Sequence, residues 1–94
     1  MRTRAAPSPE TRVLYSGLAF PESPRWRDGR LWICNWGAQE IVAVDREGRS
    51  EVVSPAPTAF LPFSVDWLHD GRMLIVAGCE GLLLRRESDG TLAT

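Results

Sequence analysis

Four stretches of the chain are apolar at nearly every position, and each has the length of a strand rather than a helix. They are LWICNW (31–36), EIVAVD (40–45), MLIVAG (73–78) and GLLLRR (81–86). A strand with one wet face alternates apolar and polar residues, whereas a short continuous apolar run marks a strand covered on both faces. Acid–Gly pairs punctuate the runs: Asp28-Gly29, Glu47-Gly48, Asp70-Gly71 and Asp89-Gly90. Glycine takes positive φ without steric cost, so such pairs close tight hairpins. Their glycines are spaced 19, 23 and 19 residues apart. The first and third intervals therefore join hairpins within a unit, and the middle one includes the crossing between units.

The units repeat. RDGRLWI, beginning at Arg27, returns as HDGRMLI, beginning at His69, an offset of 42 residues that also carries Gly48 onto Gly90. A period of about 40–45 residues with several short strands per period is the signature of a propeller blade. The expected fold is all-β: a β-propeller fragment of about two four-stranded antiparallel blades, the first over about 22–54 and the second over about 63–94. EVVS (51–54) is the expected outer strand of blade one, and SPAPTAFLP (54–62) the link to blade two. Carried forward by the repeat, Glu51 and Val52 fall on Ala93 and Thr94, so blade two is expected to lack most of its outer strand. RVLYSGL (12–18) reads as a strand preceding blade one, of the kind that completes the last blade of a closed propeller. Residues 1–11, rich in Pro, Ser and Arg, read as a disordered tail. Blades left without neighbours expose apolar faces and an unpaired edge, so self-association is expected.

Composition narrows the function classes. The 44% hydrophobic and 24% charged residues place the chain among globular proteins. A net charge of −1 gives no basic surface for nucleic acid. All eleven basic residues are Arg, which excludes a lysine nucleophile or Schiff base. With neither a signal-peptide core nor an apolar run of spanning length, no membrane association is expected, and the compartment is read as soluble, reducing and cytoplasmic. Cys34 and Cys79 form no CxxC pair and are expected as free, buried thiols rather than a disulfide.

One stretch stands out chemically. In FPESPRW (20–26) a single acid, Glu22, lies between Pro21 and Pro24. Each proline fixes its own φ and biases the residue before it towards extended geometry. On the residues alone, Glu22 is either a solvated turn acid or a carboxylate held stiffly for a ligand. There is no GxSxG, no P-loop and no metal-spaced His/Cys set.

GLAFPESPRW followed by DGRLWICNWGAQEIVAVDREGR resembles the start of the gluconolactonase/regucalcin family, also called senescence marker protein-like proteins. LPFSVDWLHDGRMLIVAGCEGLLLRRESDGTL looks like the following blade of bacterial members. The resemblance spans about residues 12–94, and ESPRW is its specific element, since the D-G-R turns recur in many propellers. It implies a six-bladed β-propeller with a divalent metal (Ca, Zn, Mn or Mg) at one mouth of the central channel, and hydrolysis of sugar lactones and related esters. Glu22 matches the family's first metal-binding acid, at the start of the innermost strand, which implies a ligand rather than a base. The metal would polarise the lactone carbonyl as a Lewis acid. The family's other ligands, an Asn and two Asp, belong to later blades and have no counterparts in these residues. The resemblance therefore implies the N-terminal portion of a metal-dependent sugar-lactone hydrolase, inactive alone. A ligand- or partner-binding propeller without catalysis, or a truncated gene product, are the alternatives.

Other residues divide between chemistry and architecture. Ser64 lies one repeat after Glu22 and is expected at the same mouth, either touching substrate or simply small enough to leave space. His69, the only histidine, falls one repeat after Arg27 and is expected as an exposed turn residue. Asp28 and Asp70 read as turn formers; Asp66 has a channel or a structural role. Asn35 is expected to satisfy a loop or to donate behind a ligand. Trp26, Trp32, Trp36 and Trp67 are expected to pack between blades.

Overall fold

A computed structural model describes residues 10–56, 58 and 60–94. The tail expected over residues 1–11 lies, apart from Glu10 and Thr11, outside the described residues. The rest forms eight strands: β1 Pro21–Arg27, β2 Arg30–Asn35, β3 Glu40–Asp45, β4 Ser50–Pro55, β5 Phe63–Trp67, β6 Met73–Ala77, β7 Leu82–Arg86 and β8 Leu92–Ala93. They make two four-stranded antiparallel sheets, ordered β1-β2-β3-β4 and β5-β6-β7-β8. The one helical element among the described residues is a 3-10 turn at Trp36–Ala38, between β2 and β3. The all-β class and the two sheets therefore match the pattern of apolar runs, and β8 is the stub that the repeat arithmetic foretells. No helix among the described residues is long and apolar enough to cross a membrane.

The four acid–Gly pairs all lie at hairpins, but the turns are of two kinds. Asp28 (φ 52°) and Gly29 (φ 75°) both take positive φ, forming a two-residue loop whose twist matches the strands. The other three are one size larger. In each, the glycine N–H returns to a carbonyl three residues back: Gly48 to Asp45 at 3.1 Å, Gly71 to Leu68 at 2.9 Å and Gly90 to Glu87 at 2.9 Å. Acid side chains tighten these loops. Asp45, Asp70 and Asp89 accept backbone N–H groups from Arg49, Arg72 and Thr91 respectively.

This difference of one residue has to be absorbed, because a one-residue slip turns a strand's side chains over. Near the first turn Trp26 pairs with Leu31, whereas in the second sheet Trp67 pairs with Met73. A β-bulge in β1 between Glu22 and Arg25 takes up the slack. Beyond it Pro21 faces Asn35 and Glu22 faces Cys34, matching Phe63 opposite Ala77 and Ser64 opposite Val76 one repeat later. Ser23 sits in the bulge at φ 55°, and Pro24 beside it has no N–H to contribute to a ladder.

The sheets are joined by side chains. Trp32, Cys34, Ile41 and Ala43 of the first meet Phe63, Val65, Met73, Ile75, Ala77 and Leu84 of the second in one buried cluster. Trp32 meets Trp67 edge to face, with ring centroids 5.0 Å apart. The Trp36 indole N–H donates to the Phe63 carbonyl at 2.7 Å. Three of the four tryptophans thus lie between the sheets. Trp26 does not: it pairs with Leu31 on the opposite face of the first sheet, remains exposed and carries Arg46 over its ring at 5.3 Å. The bulge and the tight first turn set its direction.

Two further expectations are corrected. Residues 12–18 form no strand. They lie over the side-chain face of the first sheet away from the second, where Leu18 packs on Ile33, Val42 and Val44. There the Leu14 carbonyl passes so close to Gly48 that a Cβ on that glycine would stand 2.6 Å from it. The segment meets a face rather than an edge, and a face offers no backbone partners for a ladder. Cys79 is free but exposed, in the turn between β6 and β7, whereas Cys34 is free and fully buried.

Phe63 is among the largest side chains fully buried between the sheets. Phe63→Ala is expected to cost about 3–5 kcal/mol, the range for truncating a buried aromatic. His69→Ala, at an exposed turn, should change stability by less than about 0.5 kcal/mol. Urea denaturation followed by tryptophan fluorescence measures both, and equal effects would contradict this placement of the core.

Candidate functional site

Glu22 stands at the start of β1, exposed to solvent. Its position is set by an unusual stretch of backbone. Phe20 (φ 55°) and Ser23 (φ 55°) both lie in the left-handed region on either side of the Pro21-Glu22 pair. Positive φ is costly for a bulky residue such as Phe and persists only when surroundings enforce it. Those surroundings are visible. The Phe20 carbonyl accepts the Trp36 N–H at 3.2 Å, and the Ala19 carbonyl accepts the Gly37 N–H at 2.7 Å. The Phe20 ring stacks on Trp36 with centroids 5.6 Å apart. Gly37 is required here, because a Cβ would stand 2.7 Å from the Ala19 carbonyl oxygen.

Asn35 completes the clamp. It is buried, its Oδ1 accepts the Ala19 N–H at 2.8 Å, and its amide donates to Glu40 Oε1 at 3.2 Å. Its role is to satisfy the loop, the first of the two roles open to it from the sequence. The second sheet keeps a simpler version of the same tie, with the Gly78 N–H donating to the Pro62 carbonyl at 3.0 Å.

Ser64 occupies the Glu22 position of the second sheet, half-buried. The two residues are equivalent in register yet line different grooves. Ser64 shares a groove of about 170 Å³ with Ser23, Trp36, Pro62, Phe63 and Gly78. Glu22 rims a larger, mostly apolar groove of about 390 Å³ on the other side of the first sheet, with Pro21, Pro24, Leu31, Ile33 and the 13–18 segment. Sequence reasoning missed Ser23 and Trp36 as neighbours of Ser64. The available signal was Trp36 itself, which the repeat aligns with Gly78: a large residue in one unit against none in the other.

The remaining candidates are architectural. Asp66 is exposed, caps the Trp67 N–H and approaches Arg25 of the first sheet at 3.9 Å. Asp28 and Asp70 sit in their turns beside Arg27 and Arg72. The Arg72 guanidinium and N–H hold the Asp70 carboxyl below its usual range. Glu22 forms no ion pair among the described residues, and no group of three His, Cys, Asp or Glu gathers there to hold a metal ion. What this region offers chemically is one exposed carboxylate on a hydrogen-bonded stretch of backbone, and a serine hydroxyl at the matching point of the second sheet's first strand. No protein-family model, curated protein or solved structure matches the chain.

The thiols provide a check on this geometry. Burial pushes the Cys34 thiol up to about 11 from 9.0, outweighing the lowering influence of the Val65 backbone and Arg25. An acid held neutral in the fold but free to ionise when unfolded favours unfolding as pH rises between the two values. Stability should therefore hold up to about pH 9 and fall towards pH 11, and Cys34→Ala should flatten that decline. A thiol reagent at neutral pH should label Cys79 promptly and Cys34 only on unfolding. Equal labelling rates would contradict the buried placement.

Proposed function

We propose that these residues form the first two blades of a β-propeller and contribute Glu22 as a metal ligand to a sugar-lactone hydrolase. The observation that carries the reading is the exposure of Glu22, between two positive-φ residues, at the start of the first strand of a repeated four-stranded unit. Propeller architecture is supported by the relation of the units. Both are meanders in the same order, stacked face to face, and their closest approach is between first strands, β1 and β5. Strands that converge at one end of the order and part at the other are what a radial arrangement requires.

The residues present do not by themselves make a divalent site. Ca²⁺ takes about six to eight oxygens, and Glu22 supplies at most two. The remaining ligands of such a site belong to other blades. This chain's part is to hold one negative oxygen donor in place before any ion arrives, and to present the Ser64 hydroxyl as a hydrogen-bonding group to a polyhydroxylated substrate. Preorganisation of this kind avoids an ordering cost on binding.

In the propeller that these blades begin, Glu22→Gln should weaken dication affinity on the order of 10–100-fold and lower lactone hydrolysis with it, the fold being kept. Ser64→Ala should raise KM for the lactone with metal affinity unchanged, and His69→Ala should alter neither. Titration calorimetry and a lactone-hydrolysis assay read these effects. Full hydrolysis by Glu22→Gln would overturn the role given to Glu22, whereas absence of lactone hydrolysis in the unmutated propeller would favour one that binds a ligand without catalysis.

A further inference from the structure

The repeat carries Val44 onto Arg86. Val44 is buried with Ile33 and Val42 on the far face of the first sheet. One repeat later these three positions hold Ile75, Leu84 and Arg86. Ile75 and Leu84 face the first sheet and are buried against it. Arg86 follows Leu84 by two residues on β7, so it points into the same gap between the sheets. A guanidinium thus stands where the other unit places an aliphatic side chain, and the repeated architecture does not call for one.

The surroundings of Arg86 are mostly apolar. At the hairpin end of the gap, away from Glu22 and Ser64, a groove of about 320 Å³ opens between the sheets. Trp32 and Val53 line it from the first sheet, and Trp67, Met73, Arg72 and Arg86 from the second. That volume is at the lower end of the range for small-molecule sites.

The two arginines differ in what they meet. Arg72 pairs with Asp70 at 2.8 Å and with Glu87 at 3.1 Å, and Glu87 also meets Arg85. Both carboxylates border the groove, but three guanidiniums stand against these two acids, and the surplus charge is that of Arg86. Arg86 is half-buried and forms no ion pair among the described residues. Its one hydrogen bond among them runs from Nη2 to the Ser54 hydroxyl of β4, at 3.2 Å. A guanidinium carries five N–H donors and a hydroxyl only two lone pairs. At least three donors of Arg86 therefore have no protein partner among the described residues.

We propose that this groove binds a small aromatic carboxylate, with the carboxylate held by the Arg86 fork and the ring against Trp67, Met73 and Val53. A carboxylate matches the fork in a bidentate way that a neutral group cannot. The apolar walls take an aromatic body out of water, which a bare inorganic anion does not need. Asp70 and Glu87 oppose an incoming anion little, because Arg72 and Arg85 already hold them. The site is separate from Glu22 and stands or falls independently of lactone chemistry.

Benzoate, benzamide and acetate, titrated separately into the 94-residue chain, test this by calorimetry and by the indole N–H resonances. Benzoate should bind and shift the Trp32 and Trp67 resonances, while Trp26, on the opposite face of the first sheet, stays in place. Benzamide keeps the ring without the charge and acetate keeps the charge without the ring; each should bind about 10-fold more weakly or worse. Arg86→Met keeps the apolar stem and removes the fork, and should weaken benzoate binding by about 10-fold or more with β-sheet circular dichroism unchanged. Should that variant lose its circular dichroism, Arg86→Lys, which keeps the charge and loses the fork, should weaken binding several-fold. Ser54→Ala releases the guanidinium from its one tie and should leave benzoate affinity equal or higher. An absent response to benzoate, benzamide binding as tightly as benzoate, or unchanged affinity in the Arg86 variant would overturn the proposal and leave Arg86 as a tie between the sheets.

Discussion

The arrangement of the two units depends on the burial of one sheet face against the other. A single antiparallel layer cannot shield both of its faces: residues 12–18 cover a small cluster of Ile33, Val42 and Val44 on the far face of the first sheet, and the larger cluster lies between the sheets. The shielding comes from Phe63, Val65, Ile75 and Ala77 meeting Cys34, Ile41 and Ala43 across the gap. Fully burying an aliphatic or aromatic side chain is worth about 1.5–3 kcal/mol, and no other contact between the sheets is of comparable size. The ion pairs are on partly or fully exposed side chains, where each contributes about 0–1 kcal/mol. Polar links across the gap, such as Trp36 to the Phe63 carbonyl, set the register of a contact whose strength is apolar.

That contact demands that equivalent residues of the two units point in equivalent directions. The units differ by one residue in their first hairpin, and without compensation Glu22 and Cys34 would no longer share the ladder level of Ser64 and Val76. The bulge at Ser23-Pro24 provides the compensation. It also explains why two prolines flank the acid. Pro21 opens an edge strand and Pro24 lies in a bulge, both positions where a missing N–H costs no ladder bond. The stiffness around Glu22 is thus a requirement of the fold as well as an opportunity for binding.

The clamp behind Glu22 has the same double character. Phe20 is kept at positive φ by a hydrogen bond to its carbonyl and by its stack on Trp36, while Asn35 and Gly37 hold Ala19. Trp36 is the joint of this arrangement. Its backbone binds the approach to β1, its ring supports Phe20, and its indole binds the start of β5. The approach to the first strand and the start of the fifth are therefore joined through one side chain.

Sequence alone determined the periodic part of this protein. Short apolar runs between acid–Gly pairs specify strands and hairpins because backbone sterics act locally, and a 42-residue repeat specifies that the two units are alike. The equivalence of Glu22 with Ser64 was legible for the same reason. Tertiary structure decided what the repeat leaves unequal. Trp26 turned outward because a bulge and a tight turn act together, a sum that no single motif reveals. Residues 12–18 have the composition of a strand, but a strand needs an edge, and the surface they meet is a face. Glu22 and Ser64 share a register yet rim different grooves, because the groove beside each is shaped by what packs next to its own sheet. Local chemistry chose the elements; the neighbours each face finds decided which residues became core, which became surface and which stand together.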